Sequence, residues 1–92
     1  MFTKINNANV VSSEGYTVKY DRSYVSYVEG KKAIHVEAEL ILSPLTLIVY
    51  TKTIEKWFPP YANEYINDEK KSQIINNIKS ALKFLEVNYR MI

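Results

Sequence analysis

Ninety-two residues suffice for one small folding unit and not for two. With 47% hydrophobic and 24% charged residues, 2 Gly and 3 Pro, the composition is that of a globular chain and excludes collagen-like and disordered classes. The absence of Cys excludes a disulfide framework, thiolate metal sites and a cysteine nucleophile, and a net charge of +2 is too close to balance to predict a surface that tracks phosphates.

Met1 to Val10 carries one Lys and a polar Asn6-Asn7-Ala8-Asn9 stretch, without the continuous apolar segment of a signal peptide. From Tyr16 the chain reads at period two. Tyr16, Val18 and Tyr20 alternate with Thr17 and Lys19, and Tyr24 to Val28 follows the polar break Asp21-Arg22-Ser23, which predicts two strands joined by a short turn. Glu29-Gly30 supplies a second turn. After it Ile34, Val36 and Ala38 alternate with Ala33, His35 and Glu37, the pattern of a half-buried third strand.

The window Leu40 to Tyr50 is the most apolar in the chain, but Ser43-Pro44 interrupts it and it falls short of the roughly 20 residues that span a bilayer. No membrane partner and a cytoplasmic location are therefore expected. Leu45 to Thr51, apolar in both phases, predicts a fourth strand placed mid-sheet with both faces covered.

In the second half the period changes. Ile74, Ile75, Ile78, Ala81, Leu82 and Leu85 recur at spacings of three and four, with Lys70, Lys71, Asn76, Lys79 and Lys83 on the opposite side. Asn67 reads as an N-cap with Asp68 and Glu69 in the first turn, so a helix is predicted over Asp68 to Phe84. Val87, Tyr89 and Met91 alternate with polar neighbours as a terminal strand. The expected fold is α+β in one domain over residues 1–92. An antiparallel sheet of four to five strands packs on one main helix, in the order β-β-β-β-α-β. One helix covers one sheet face, leaving the other for a second layer or for a homodimer.

The densest feature lies between the fourth strand and the helix: Trp57-Phe58-Pro59-Pro60-Tyr61-Ala62-Asn63-Glu64-Tyr65-Ile66, with the only Trp and two of the three Pro. Adjacent prolines remove two donors and stiffen the backbone toward extended or polyproline geometry. Aromatics on such a loop suit protein recognition, because Trp and Tyr offer large contact area with little rotamer freedom to lose. The competing reading has Trp57 and Ile66 packed beneath the loop, stapling the helix start.

Ile54-Glu55-Lys56-Trp57-Phe58-Pro59-Pro60, then Glu64 and Ile66, then Ile74-Ile75-Asn76-Asn77-Ile78 and Ala81-Leu82, form an ordered pattern of strand, motif and helix. With Gly15-Tyr16 and Tyr27-Val28-Glu29-Gly30 upstream, the chain resembles a family of bacterial immunity proteins from polymorphic toxin systems, most clearly from Ile48 to Leu85. It departs at Leu42-Ser43-Pro44-Leu45, where related chains look richer in Gly, and in its slightly basic charge. The resemblance implies a stoichiometric inhibitor of a cognate toxin domain inside the producing cell.

Catalytic chemistry finds little support. His35 is the only histidine, and its strand neighbour Glu37 brings no nucleophile; two glycines cannot build a phosphate-binding loop, and the carboxylates lack metal-site spacing. We expect no enzyme, no metal and no cofactor. The contact surface expected is the loop, with Trp57, Phe58, Pro59, Pro60, Tyr61 and Tyr65 and a polar rim of Glu55 and Glu64. A secondary surface is the sheet face with Tyr16, Tyr20, Tyr24 and His35. The alternative function is nucleic-acid binding on that tyrosine-rich face. Against it, Glu14, Asp21, Glu29, Glu37 and Glu39 balance the five Lys and Arg of residues 1–46.

Overall fold

A computed structural model describes residues 1–92. Seven strands are formed: β1 (Phe2–Asn6), β2 (Asn9–Ser12), β3 (Tyr16–Tyr20), β4 (Tyr24–Glu29), β5 (Lys32–Leu42), β6 (Leu45–Val49) and β7 (Tyr89–Met91), with a 3-10 turn at Thr51–Thr53 and one helix, α1 (Asp68–Phe84). The strands lie in one sheet in chain order, β1-β2-β3-β4-β5-β6-β7. Every pair is antiparallel except β6 with β7, which is parallel because α1 returns the chain across the sheet between them. The α+β class holds, but the sheet is mixed and larger than the four or five strands expected.

The two additional strands are the N-terminal hairpin. Asn7 and Ala8 form the tight turn between β1 and β2, and Ala8 N–H donates to Asn6 Oδ1 at 2.8 Å, the local bond by which an Asn side chain mimics a backbone turn. The polar stretch is thus the hairpin connection. Its strands bury only Val10 and Ser12 fully, too few positions to show a period. The fourth strand expected, β6, is paired on both edges, yet it stands next to the sheet's end and not at its middle.

One face of the sheet and α1 enclose a cluster of 18 buried residues. β3, β4 and β5 contribute Tyr16, Val18, Val25, Tyr27, Ile34, Val36 and Ala38, and β6 adds Leu47 and Val49. The helix contributes Ile74, Ile78, Ala81 and Leu82, as the periodicity predicts. Asn67 Oδ1 accepts from the Lys70 N–H at 2.8 Å, satisfying one of the orphan donors of the first turn. At the other end Val87 N–H reaches Leu82 C=O at 3.0 Å and Glu86 N–H reaches Lys83 C=O at 3.1 Å, the two bonds of a Schellman motif. Glu86 adopts φ 60°, a left-handed conformation that favours Gly.

β5 is the longest strand, and it changes partners along its length. Lys32–Glu37 pair with β4, and Ala38–Leu42 pair with β6. The edge of β5 left open opposite β4 is closed by the following loop: Phe58 N–H donates to Ala33 C=O at 2.8 Å, Tyr50 N–H to Glu37 C=O at 2.9 Å, and Glu37 N–H to Thr53 Oγ1 at 2.9 Å.

A polar network ties the sheet to the helix. Tyr27 Oη donates to Glu29 Oε1 at 2.6 Å and accepts from Asn77 Nδ2 at 2.9 Å, while Lys70 Nζ donates to Glu29 Oε2. Burial, reinforced by the bond to Glu29, pushes the Tyr27 hydroxyl well above the usual phenol range, so it stays a neutral donor. Burial also pushes Glu29 up, but the bonds from Lys70 and Tyr27 and the charges of Lys70 and Lys32 outweigh it and hold the carboxyl below its ordinary value.

Three outcomes follow for stability. Ile78→Ala should cost about 2–5 kcal/mol, read by denaturant titration, because it opens a cavity in the centre of the cluster. Glu86→Gly should stabilise by about 0.5–1 kcal/mol, since the left-handed position no longer strains a side chain. Because the folded Glu29 pKa is depressed, its contribution is complete above the unfolded value of 4.5 and disappears as pH falls through the folded value. Thermal melts should therefore show a gap between the protein and Glu29→Gln at pH 7 that closes below pH 4.5; a gap independent of pH would refute this assignment.

Candidate contact surface

The aromatic loop is fixed from below by its own first residue. Trp57 is only 3% exposed and lies in the main core, its ring 6.5 Å from that of Tyr27 and near-parallel to it. Lys32, at the start of β5, reaches across: its Nζ sits 5.9 Å from the Trp57 ring centre and 5.8 Å from that of Tyr61, and pairs with Glu64 Oε1 at 2.6 Å. A single ammonium thus holds two aromatic faces and one carboxylate.

Past Trp57 the backbone folds into two successive turns instead of running extended. Tyr61 N–H bonds to Phe58 C=O, and Glu64 N–H to Tyr61 C=O, each at 3.0 Å, and the Pro59–Pro60 peptide is cis. An isolated antiparallel bridge between Lys56 and Tyr65 closes the base, and Ile66 is buried ahead of α1.

The expected loop residues therefore divide. Trp57, expected on the contact surface, is instead buried in the main core, not in a separate cluster beneath the loop. Tyr61 is half-buried against the core and beneath Lys32. Phe58 is 41% exposed and Tyr65 81% exposed, and Pro59 and Pro60 face solvent. Glu64 is exposed but neutralised by Lys32, and Glu55 is exposed. Glu55, Glu64 and Tyr65, with Ile54, Lys56 and Lys71, help line an open groove of about 510 Å³.

The sheet-face set also divides. Tyr16 is buried on the helix side and stacks on Tyr27 with ring centres 5.6 Å apart. Tyr20 is half-buried against the same core. Only Tyr24 and His35 lie on the face away from α1, where their rings stack at 3.9 Å and 11°. Phe58 meets the same imidazole edge-on, at 4.7 Å and 72°. The loop and the outer sheet face thus join through the trio Tyr24, His35 and Phe58. With Tyr16 and Tyr20 turned inward, the row of tyrosines that a base-stacking platform needs is absent from the open face.

Asp21 organises the turn that sets this arrangement. Its carboxylate accepts from Ser23 N–H at 2.8 Å and Tyr24 N–H at 3.0 Å. The Ser23 bond leads in holding its pKa below the ordinary value against a small desolvation cost, and the neighbouring Tyr24 bonds and the charge of His35 add to it. Lys32 is the positioning residue that the sequence did not single out. Its partners stand 25 to 32 residues away, and no local pattern connects them.

No group of three or more His, Asp or Glu side chains is arranged to hold a metal ion, and no helix is long and apolar enough to cross a membrane. No curated protein and no solved structure matches the chain. A family model does: that of immunity protein 74, over residues 17–91. The match runs from β3 through the clamp and the helix to β7, taking in every element that builds the loop surface. The chain belongs to the immunity protein 74 family.

Proposed function

We propose that residues 1–92 act as one immunity domain that binds a cognate toxin domain in the cytoplasm of the producing bacterium and silences it by contact, with no chemistry of its own. The observation that carries this reading is the clamp beneath the loop. Trp57 and Lys32 anchor the loop, and Phe58 and Tyr65 stand exposed on a backbone already ordered by turns and by the Lys56–Tyr65 bridge, so little conformational entropy is lost when a partner covers them. Large, pre-positioned aromatics beside a polar rim are what the centres of tight protein interfaces contain. Glu55 and Glu64 furnish that rim, with Pro59 and Pro60 keeping the exposed backbone poor in donors. Membership of an immunity protein family supports a toxin as the partner class, and a polymorphic toxin system is the setting proposed for it.

The test starts from the toxin domain recovered with the tagged protein from its own cells and produced in a catalytically inactivated form. Phe58→Ala and Tyr65→Ala should each weaken binding at least tenfold in calorimetric titration, about 1.4 kcal/mol, and leave the melting temperature unchanged. Trp57→Ala should instead lower stability by about 3–5 kcal/mol, the cost of emptying a buried aromatic site. If the wild-type protein binds no toxin domain and co-expression does not restore growth of cells making the active toxin, the reading fails.

A further inference from the structure

The β5–β6 hairpin stands free at its tip. β4 pairs with β5 only from Lys32 to Glu37, and β7 pairs with β6 only from Leu47 to Val49. The last two rungs, Ile41 with Thr46 and Leu42 with Leu45, thus have no strand on either outer side. Hairpin tips in water are normally polar. This one carries Ile41 at 40% exposure, Leu42 at 66% and Leu45 at 48%, joined through Ser43-Pro44, and no charged residue occurs from Leu40 to Tyr50. Neither the helix nor the loop covers it.

We propose that this tip is an apolar knob that enters an apolar pocket of the toxin domain. The inference rests on the reading of a toxin as partner and goes beyond it in naming a second contact and its chemistry. Three observations fix the occupant. First, the outward row of β5, Ala33-His35-Glu37-Glu39-Ile41, runs from the loop at Phe58 to the tip, a span of roughly 26 Å at about 3.3 Å per residue, and ends beside Leu42 and Leu45, which are exposed in the opposite phase of the same hairpin. That matches the width of a standard interface burying about 800 Å² per partner, so one toxin domain can cover loop, row and tip together.

Second, the tip is too small to dimerise the protein. Its exposed side chains amount to on the order of 300 Å² per copy, well below about 800 Å², whereas a few hundred square ångströms is the size of the apolar centre within a larger interface. Third, a second copy has no matching receptor. The one surface groove is lined by Glu55, Lys56, Glu64, Asp68 and Lys71 among others, which would lose hydration against leucine.

The experiment places a photo-crosslinking residue by Leu42→p-benzoylphenylalanine and, separately, Tyr65→p-benzoylphenylalanine, in cells co-producing the inactivated toxin domain. Adducts are identified by mass spectrometry. Both positions should give an adduct with the toxin, the Leu42 one to an apolar segment. In parallel, the double substitution Leu42→Ser with Leu45→Ser should weaken toxin binding at least tenfold with an unchanged melting temperature. Toxin adducts from position 65 with none from position 42, an adduct at 42 with a second copy or a lipid, or unchanged affinity in the double variant would each overturn the knob and leave the contact loop standing. Toxin adducts from neither position would overturn both.

Discussion

The change of partners along β5 is the constraint from which the rest of the molecule follows. A strand of eleven residues that pairs with β4 over its first half and β6 over its second cannot belong to a flat sheet with full ladders on both sides. Each half leaves one edge bare. At the first half the bare edge faces the chain emerging from β6, and backbone donors of Tyr50 and Phe58 close it. Those two bonds fix where the aromatic loop starts, because Trp57, one residue before Phe58, then enters the core. At the second half the bare edge runs out to the hairpin tip, where no strand pairs with it.

The sheet's curl around α1 gives the core a depth that one flat layer would lack. The helix presents a narrow apolar stripe, Ile74, Ile78, Ala81 and Leu82, yet the enclosed cluster extends to Val10 on β2 and to Val49 on β6. Phe84 at the helix end lies 5.2 Å from the Phe2 ring on β1, and Val87, just beyond it, bonds back to Leu82 before the chain joins β7. One helix end therefore touches β1 at one end of the sheet and leads directly into β7 at the other. At the margin of this wrap Tyr27, Glu29, Lys70 and Asn77 hydrogen-bond to one another, with Lys70 also donating to Gln73 Oε1, so that the half-buried polar groups joining sheet and helix find partners.

What the sequence disclosed tracks the reach of each signal. The helix, its cap and its buried stripe were legible because period and capping are local. β3, β4 and the first half of β5 were legible for the same reason. The tyrosine faces were not, because phase does not carry across a turn. Tyr20 and Tyr24 are four apart, which suggests one face, but Tyr20 stands opposite Val25 in the register, so Tyr24 points the other way. The N-terminal hairpin was hidden by a turn of Asn7 and Ala8 instead of a glycine pair, and by a first strand that is exposed along nearly all its length. Whether Trp57 was core or contact could not be read from the loop itself, since its partners Tyr27 and Lys32 come from strands far upstream. The apolar window at Leu40 to Tyr50 was visible, but composition alone could not separate Leu47 and Val49, which are buried, from Leu42 and Leu45, which are not. That division is made by where β4 and β7 end.

The two faces of the sheet are consequently different materials. The inner one is closed by a helix and needs nothing further. The outer one is mostly Thr, Ser, Lys, Glu and His, side chains that water satisfies, and this is why the fold tolerates having no second layer. Exposed apolar groups also occur elsewhere, at Ile5 and Val11 on the N-terminal hairpin and at Phe84 on the helix, but two groups of them mark the ends of β5: Phe58 with Tyr24 and His35 at its start, and Ile41, Leu42 and Leu45 at its finish. Their placement at both ends of a strand whose middle exposes Glu37 and Glu39 gives a surface with two apolar ends and a wet middle. Such a surface is suited to a partner that seals its ends and tolerates water between them.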